Sequence, residues 1–589
     1  MSLEKEIRDS GIAVKEASAG LLGAFLTGDE CVFRVWAPHA RRVQLQLMSA
    51  QGPRALEMER RDGDHFVLHA AAKTGDRYFY IVDNHKPVPD PVSRWLPEGV
   101  HGPTEIVDPQ NFPWNDANWR GLQLKDYILY ELHVGTFTPQ GTFDAVISKL
   151  PYLKELGVTV IELMPVAAFP GTRNWGYDGV SLYAVQASYG GPEGLKRLVD
   201  AAHAMGLAVV LDVVYNHLGN EGNYLPIFGP YFTARHKTPW GEAMNYDQPG
   251  CQGARNYIVE NACYWVREYH LDGLRLDAVQ TIYDDSPRHI LAEIKDSVTA
   301  LADELGREVC VIAETDENDE KLVRAPKLGG YGLDALWSDD FHHALHAFFT
   351  GERKGYYQDF GHPEQIARAL NEGFVFQGEP FQFWSGRRCG TSSRPMPAAA
   401  HVICIQNHDQ VGNRAQGERL AALIPSHARK IAAALLLLAP QTPLLFMGQE
   451  YDESNPFQFF THYGDPALQK AVSEGRRNEF KDFGFQEIPD PQSTETFEQS
   501  KLNWQLAENK NAVRDWYQAL MGLRKQYISA SERTCYAEIS NGILAMQAPA
   551  MQPRLKLFCR LDGNAELPQP GDKWKKVLSD IAVSVYVVE

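Results

Sequence analysis

The central part of the chain alternates short apolar runs with segments of helical periodicity. Eight apolar runs predict buried strands, at 127–135, 158–166, 207–216, 273–279, 309–315, 335–340, 401–409 and 442–450. Apolar positions recurring every three or four residues predict helices between them, for example at 143–157, 192–206, 255–270 and 286–306. Buried strands that alternate with helices indicate a parallel sheet covered on both faces, and eight such units close into a barrel. The pattern therefore predicts a central (β/α)8 TIM barrel.

Short strands of alternating polarity flank this central region. Those near the N-terminus, separated by Gly, Asp or Pro turns, predict a small β-sandwich, at 31–38, 42–48, 65–70 and 77–83. A stretch rich in Pro and Gly, 83–103, predicts a rigid connector. Similar strands return after a last barrel helix near 516–525 and predict a C-terminal β-domain. We expect a multidomain chain divided at 1–105, 106–528 and 529–589.

One long segment, 217–254, separates the third predicted strand from its helix. It carries Gly, Pro, Tyr and Phe without a clear period. A connection of this length is too long for a plain loop. We expect a small inserted subdomain over the mouth of the barrel.

Charge and cysteine usage exclude several classes of partner. The formal charge is 57 − 75 = −18, which would repel phosphate backbones and anionic lipid, so we expect neither nucleic acid nor a membrane as partner. The longest apolar run, 431–439, is far below the roughly 20 residues of a membrane-spanning helix, and the first ten residues are too charged for a signal peptide. Eight cysteines without CxxC spacing indicate free thiols in a reducing compartment. We expect a soluble, cytoplasmic protein.

Three carboxylates stand at the ends of predicted barrel strands, where the active sites of such barrels form. They are Asp277, Glu314 and Asp409, on strands four, five and seven. Any one alone is as readily a helix cap or an ion-pair partner, but three at equivalent positions favour a functional site. Cleavage of a glycosidic bond requires two such groups. Arg275, on the same strand face as Asp277, would keep Asp277 ionised.

Four motifs then identify a family resemblance. DVVYNH (212–217), GLRLDAV (273–279), IAE (312–314) and QNHD (406–409) resemble, in order, the signature of the α-amylase superfamily of glycoside hydrolases. The resemblance implies that Asp277 is the nucleophile, Glu314 the general acid/base and Asp409 the transition-state stabiliser of a retaining reaction. The residues that it implies as contacts to the attacked sugar are Tyr177, His217, Arg275 and His408.

Longer strings are similar to one branch of that superfamily, the maltooligosyltrehalose trehalohydrolases. They lie at 130–143, 174–185, 338–352, 406–420 and 473–480. The resemblance implies hydrolysis of the α-1,4 bond next to the terminal trehalose of maltooligosyl trehalose, with maltooligosaccharides as the other product. It also implies no cofactor, a partner maltooligosyltrehalose synthase that makes the substrate, and a carbohydrate-binding-like N-terminal sandwich.

Two other functions remain open from the residues alone. A branching or debranching enzyme has the same barrel and the same three carboxylates. A non-catalytic glucan-binding protein is the second alternative, although degenerate members of this kind lose one or more of the carboxylates. Gln280 is a departure, because many similar sequences have His at this position.

The end of the sixth predicted strand carries Asp340 and His343. We expect both to contact the trehalose side of the substrate because of their position. The neighbouring acidic and histidine residues lack the spacing of a metal site. Asn216 matches a calcium-binding position of some α-amylases, but no acidic loop accompanies it. We therefore expect no metal.

Overall fold

The computed structural model describes residues 21–28, 30–48, 52–481, 488–509, 511–528 and 534–588. At its centre eight parallel strands form a closed barrel, in which the last strand pairs with the first. In chain order these strands are Leu129–Leu132, Val160–Leu163, Ala208–Val213, Gly273–Leu276, Cys310–Ala313, Ala335–Trp337, His401–Cys404 and Thr442–Phe446. The predicted multidomain TIM-barrel fold is confirmed.

Helices cover the outside of the barrel. The main ones are Phe143–Ile147, Leu150–Leu156, Gly191–Ala204, Cys251–Tyr269, Ile290–Leu305, Asp340–Thr350, Pro363–Glu372, Ser426–Leu438 and Ala512–Leu523. Shorter or peripheral helices are Val134–Phe137, Leu225–Phe228, His408–Gly412, Leu420–Leu423, Pro466–Lys481, Thr494–Gln499 and Trp504–Glu508. The single helix predicted at 143–157 is two helices, because Pro151 lies in the first turn of the second, where its missing N–H costs no hydrogen bond.

The interior of the barrel changes from apolar to polar along its axis. Leu129, Val160 and Val210 belong to an apolar cluster near the amino ends of the strands. Successive strand residues alternate between the interior and the helix side, so the residue two positions further on also points inward. These next positions are polar and buried, and we call Glu131, Glu162, Asp212 and Arg275 the polar layer.

The expected insertion contains regular structure. The segment after the third barrel strand forms the helix Leu225–Phe228 and a hairpin of Phe232–Thr238 with Gly241–Met244. The next barrel helix begins at Cys251, four residues before its predicted start. Trp240 lies in the turn of the hairpin and is 47% exposed, which is unusual for so large an apolar side chain.

Antiparallel sheets flank the barrel on both sides in sequence. The N-terminal sandwich has one sheet ordered Gly23–Thr27, Glu30–Trp36, His65–Ala70, Glu59–Arg61 and a second ordered Arg54–Glu57, Val43–Met48, Arg77–Val82, Thr104–Glu105. The C-terminal sheet is ordered Tyr536–Ser540, Ile543–Ala548, Leu555–Arg560, Val583–Val587, Lys575–Ser579. Two small strand pairs, Ala167–Ala168 with Ser181–Val185 and Glu379–Phe381 with Arg387–Cys389, lie in barrel loops.

The sandwich packs closely against the barrel. The indole of Trp36 lies over Gly253 in the helix Cys251–Tyr269, where an added Cβ would be 2.1 Å from Trp36 Cζ2. It also covers Gly229, where a Cβ would be 2.7 Å from Trp36 Cζ3. Tyr231 completes the contact edge-on, at 5.0 Å between ring centroids. Only glycine fits at the two contact points.

A buried ionic network lies at the amino end of the barrel strands. His203 Nδ1 is 2.8 Å from Asp116 Oδ2, and Nε2 is 2.8 Å from Asp272 Oδ2. Because both ring nitrogens face carboxylate oxygens, the ring is the doubly protonated imidazolium and donates twice. Trp119 Nε1 donates to Asp272 Oδ1 at 2.7 Å. The network joins the segment before the first barrel strand to the barrel itself.

Two further observations concern the chain as a whole. All eight cysteines are among the described residues, and each is a free thiol. Within the described ranges, no helix combines the length and the apolar character that crossing a membrane requires.

Candidate active site

The three predicted carboxylates meet at the carboxyl end of the barrel. Asp277 and Glu314 directly follow strands four and five, whereas strand seven ends at Cys404 and Asp409 lies in the first turn of the helix His408–Gly412. All three border one cavity of about 440 Å³. The other residues lining it are Trp175, Tyr177, His217, Trp240, Ala278, Gln280, His408, Asn413, Phe459, Val472, Arg476 and Glu479.

Two side chains donate hydrogen bonds to Asp277. Arg275 Nη1 donates to Asp277 Oδ1 at 2.9 Å, and Asn216 Nδ2 donates to Oδ2 at 2.8 Å. The same Arg275 nitrogen donates to both oxygens of Asp212 at 2.9 Å. Arg275 is fully buried, so solvent screens its attraction to the Asp277 side chain only weakly. This setting suits a nucleophile.

Glu314 is in the opposite electrostatic setting. Burial raises the pKa of Glu314 well above its usual range, and the nearby carboxylates of Asp277 and Asp409 add to the effect against the charge of Arg275. Arg275 Nη2 is 3.7 Å from Glu314 Oε2, too far for a hydrogen bond. The backbone N–H of Ala278 donates to Oε2, and Ala278 has a left-handed backbone with φ of 40°. Such strain in a residue other than glycine is typical of functional sites.

His408 links the site to the polar layer. Its Nδ1 is 2.5 Å from Glu131 Oε1, and its Nε2 is 2.8 Å from the hydroxyl of Tyr177. Burial opposes charge on the ring, but the carboxylates of Asp409 and Glu131 outweigh it and raise the pKa of His408 to about 9. The imidazolium therefore donates to both partners at neutral pH. The hydroxyl of Tyr177 in turn donates a hydrogen bond to Asp212 Oδ2 at 2.6 Å.

His217 lines the cavity together with Trp240, a residue that the sequence did not single out. Its ring stacks on Trp240 at 4.5 Å between centroids, and its Nδ1 hydrogen-bonds Asn216 Oδ1. Gln280 also lines the cavity, and its buried Oε1 has no hydrogen-bond partner among the described residues. An exposed Trp in an unpaired turn gives no periodic signal from which to predict it.

The structure corrects the prediction for Asp340 and His343. Asp340 Oδ2 accepts hydrogen bonds from the backbone N–H groups of Val375 and Phe376, at 2.6 and 2.9 Å, and from Asn318 Nδ2 at 2.8 Å. It therefore fixes a neighbouring loop and does not line the cavity. His343 is buried among aromatic rings, with the ring of Tyr356 at 4.7 Å. The reason is that strand six ends at Trp337 and a helix begins at Asp340, which turns both side chains inward.

Asp339, the residue before Asp340, interacts electrostatically with Asp409 and Glu314. Burial and the carboxylate of Asp409 raise the pKa of Asp339 to about 7. Its charge also contributes to the raised pKa of Glu314.

One cluster of ligand-type side chains lies outside this cavity. His236, Asp247 and Asp285 have potential ligand atoms within 4.8 Å of one another. The guanidinium of Arg235 lies between the two carboxylates, 2.6 Å from Asp285 Oδ2 and 3.4 Å from Asp247 Oδ2. This cation is thus an ion-pair partner of both carboxylates.

The fold and the site together define the class, a TIM-barrel glycoside hydrolase of the α-amylase superfamily. The family model "Alpha amylase, catalytic domain" matches residues 107–227, and "Carbohydrate-binding module 48 (Isoamylase N-terminal domain)" matches residues 21–107. Malto-oligosyltrehalose trehalohydrolases from Saccharolobus solfataricus and Deinococcus radiodurans are 48% and 46% identical, over 88% and 84% of this chain and 89% and 81% of theirs. The chain belongs to the malto-oligosyltrehalose trehalohydrolase family.

Two further comparisons support this family assignment. A crystal structure from Salmonella typhimurium, assigned as an α-amylase, superposes with a TM-score of 0.89 at 41% identity, covering 96% of this chain and 99% of that one. A 1,4-α-glucan branching enzyme from Pseudoalteromonas atlantica is 28% identical, over 63% of this chain and 57% of its own length. The similarity to trehalohydrolases is thus higher and more extensive than that to the branching enzyme.

Proposed function

We propose that the chain hydrolyses the α-1,4 bond next to the terminal trehalose of maltooligosyl trehalose and releases trehalose. The observation that carries the chemistry is the contrast between two carboxyl groups beside one guanidinium. Asp277 accepts a hydrogen bond from Arg275 Nη1, whereas Glu314 lies 3.7 Å from Nη2 with its pKa raised by burial. One ionised and one protonated carboxyl group are what glycosidic cleavage requires.

The reaction is a double displacement with retention of configuration. Glu314 gives its proton to the glycosidic oxygen while Asp277 attacks the anomeric carbon, so the bond to the trehalose unit breaks as a glycosyl-enzyme bond forms. Glu314, now ionised, takes a proton from water, which displaces Asp277 and restores both groups. Asp409, 40% exposed in its side chain and open to the cavity, stabilises the positive charge on the sugar ring. No cofactor takes part in these steps.

The remaining cavity residues bind the sugar being attacked. The ring of Tyr177 stacks on His408 at 5.1 Å and borders the cavity, so it provides an apolar face for the sugar. His217 and His408 line the cavity beside this sugar, and the N–H groups of His408 are used to hold Glu131 and Tyr177 in place. Trp240 adds a second stacking surface at the cavity mouth.

The biological setting forms part of the same proposal. Family membership supports a partner maltooligosyltrehalose synthase that supplies the substrate, and trehalose biosynthesis as the role. Eight free thiols support a cytoplasmic location, where cysteines stay reduced. The match of residues 21–107 to a carbohydrate-binding module supports glucan as the substrate class.

Product analysis tests the function directly. The purified chain is incubated with maltooligosyl trehalose, with linear maltooligosaccharide and with branched glucan, and products are separated by anion-exchange chromatography. We expect free trehalose from the first substrate at a rate well above any reaction with the others. Asp277→Asn, prepared in parallel, controls for contaminating hydrolases. Transfer of glucan chains without trehalose release would instead indicate a branching enzyme, and binding without turnover a non-catalytic protein.

A further inference from the structure

Glu162 is a buried acid that the proposed reaction does not use. It lies on the second barrel strand, two residues after Val160 of the apolar cluster, so its side chain also points into the barrel. It is 1% exposed, and neither carboxylate oxygen has a hydrogen-bond partner among the described residues. Its neighbour in the parallel register is Glu131, the acid that holds His408. A carboxyl group in this position needs donors that direct contacts do not provide.

Unpartnered donors lie in the same part of the barrel interior. Arg275 uses only Nη1 for its bonds to Asp212 and Asp277, while its buried Nε and Nη2 have no hydrogen-bond partner in the described part of the chain. The same holds for Nε1 of Trp337, whose ring lies 4.2 Å from the guanidinium. Buried polar groups are nearly always hydrogen-bonded, and ordered water joins those that do not touch. Ordered water can therefore join the acceptor oxygens of Glu162 to the donors of Arg275 and Trp337.

We propose that Glu162 is a positioning residue of the active site, which holds the guanidinium of Arg275 through ordered water and thereby fixes the carboxylate of Asp277. Arg275 Nη1 alone contacts Asp277, so rotation of the guanidinium would break that bond and the bonds to Asp212 together. Water bound between Glu162 and the free edge of the guanidinium opposes this rotation. The proposal rests on the proposed function only for the reaction used as readout.

The charges around Glu162 define its protonation state. Burial raises the pKa of Glu162 well above its usual range, and the carboxylates of Glu131 and Asp212 add to this, against the cations Arg275 and His408. These surroundings favour the neutral carboxylic acid form of Glu162, with one O–H to donate and oxygens that accept. A glutamine has the same shape and the same hydrogen-bonding capacity without a charge. A leucine of similar size has neither.

The experiment compares Glu162→Gln, Glu162→Leu and the control Val160→Ala, which opens the same interior without touching a polar group. We expect Glu162→Gln to keep kcat and the pH profile of kcat/KM within about threefold of wild type. Glu162→Leu should lower kcat about tenfold or more with little change in KM, and should shift the acid limb to higher pH because the ionised nucleophile loses support. Val160→Ala should lower the unfolding midpoint and leave the profile unchanged.

An infrared difference spectrum supplies a readout that does not depend on the leucine variant folding. Wild type minus Glu162→Gln should contain the carbonyl band of a protonated carboxylic acid at neutral pH, and its absence would overturn the proposal. An unchanged pH profile in folded Glu162→Leu, or equal damage in the Gln and Leu variants, would do the same. Failure of the wild type to release trehalose would refute only the proposed function, because these comparisons can use any maltooligosaccharide that the wild type cleaves.

Discussion

Replacing Asp340 with alanine separates a structural role from the sugar contact that the sequence predicted. The substitution leaves two donors without a partner, the backbone N–H groups of Val375 and Phe376, and it removes one of the two hydrogen bonds that Asn318 Nδ2 donates. Asp340 is only 6% exposed, so solvent cannot simply replace the carboxylate. Each unsatisfied buried donor costs about 1–3 kcal/mol, and local relaxation recovers part of the sum. We expect the free energy of unfolding to fall by about 3 kcal/mol.

The assay combines urea unfolding with steady-state kinetics. Unfolding is followed by tryptophan fluorescence, and kcat/KM is measured for maltooligosyl trehalose and for a linear maltooligosaccharide of equal length. Asp340→Ala should lower the unfolding midpoint and leave the ratio of the two kcat/KM values within about twofold of wild type. Asp340→Asn, which keeps an acceptor oxygen, should lose less stability. Asp339→Ala is the matched variant: it should lower activity with little change in the midpoint, because no described side chain is hydrogen-bonded to its carboxylate.

One outcome would refute this reasoning. If Asp340→Ala unfolded like the wild type while the ratio fell about tenfold, equivalent to ~1.4 kcal/mol, Asp340 would be a substrate contact. The specificity expected from the sequence would then be right, and the hydrogen bonds of Asp340 would be irrelevant to stability.

Three further predictions concern the active site and the ionic network. Asp277→Asn should fold and lose several orders of magnitude in turnover; retention of more than about a tenth, ~1.4 kcal/mol of barrier, would exclude it as the nucleophile. Glu314→Gln should remove the alkaline limb of the pH profile and spare activated aryl maltosides, whose leaving groups need no proton; equal loss on both substrate types would contradict the acid assignment. His203→Gln should destabilise more at about pH 6 than at about pH 9. Burial opposes the charge on His203, but hydrogen bonds to Asp116 and Asp272 outweigh it and raise the pKa of His203 in the folded protein. The stabilisation from His203 is therefore complete below the pKa of histidine in the unfolded chain, and it is lost as the pH rises through the pKa in the folded protein. Urea midpoints at the two pH values check it, and a loss independent of pH would show that His203 contributes only packing.

Sequence reasoning worked best where one periodic signal decides the outcome. The eight barrel strands all lie within the predicted runs, because strands buried on both faces are continuously apolar. Asp277 and Glu314 lie directly after strands four and five, where the sequence placed them, because a charged residue that follows such a run marks the barrel rim. Asp409 also borders the cavity, although it lies in a helix beyond the strand end.

The errors share a physical origin, the geometry of the segment between a strand and its helix. Choosing between Asp339 and Asp340 requires knowing that the strand stops at Trp337 and the helix starts at Asp340. Adjacent residues at such a junction point to opposite sides, and nothing in their types distinguishes them. Trp240 was missed for a similar reason, because its role comes from stacking on His217, a contact that no local pattern encodes.

The contact of Trp36 with Gly229 and Gly253 determines how independent the N-terminal sandwich can be. A domain that moves relative to its neighbour needs an interface whose contacts can shift. The close contacts of the Trp36 indole with Gly229 and Gly253 do not allow such a shift. A glucan chain touching both domains would therefore follow one fixed path, with no adjustment of angle between them. Removing the sandwich would also expose the apolar barrel surface that Trp36 covers, and exposed apolar surface of this kind favours association with other molecules. The sandwich is thus a structural part of the catalytic domain rather than an independently moving module.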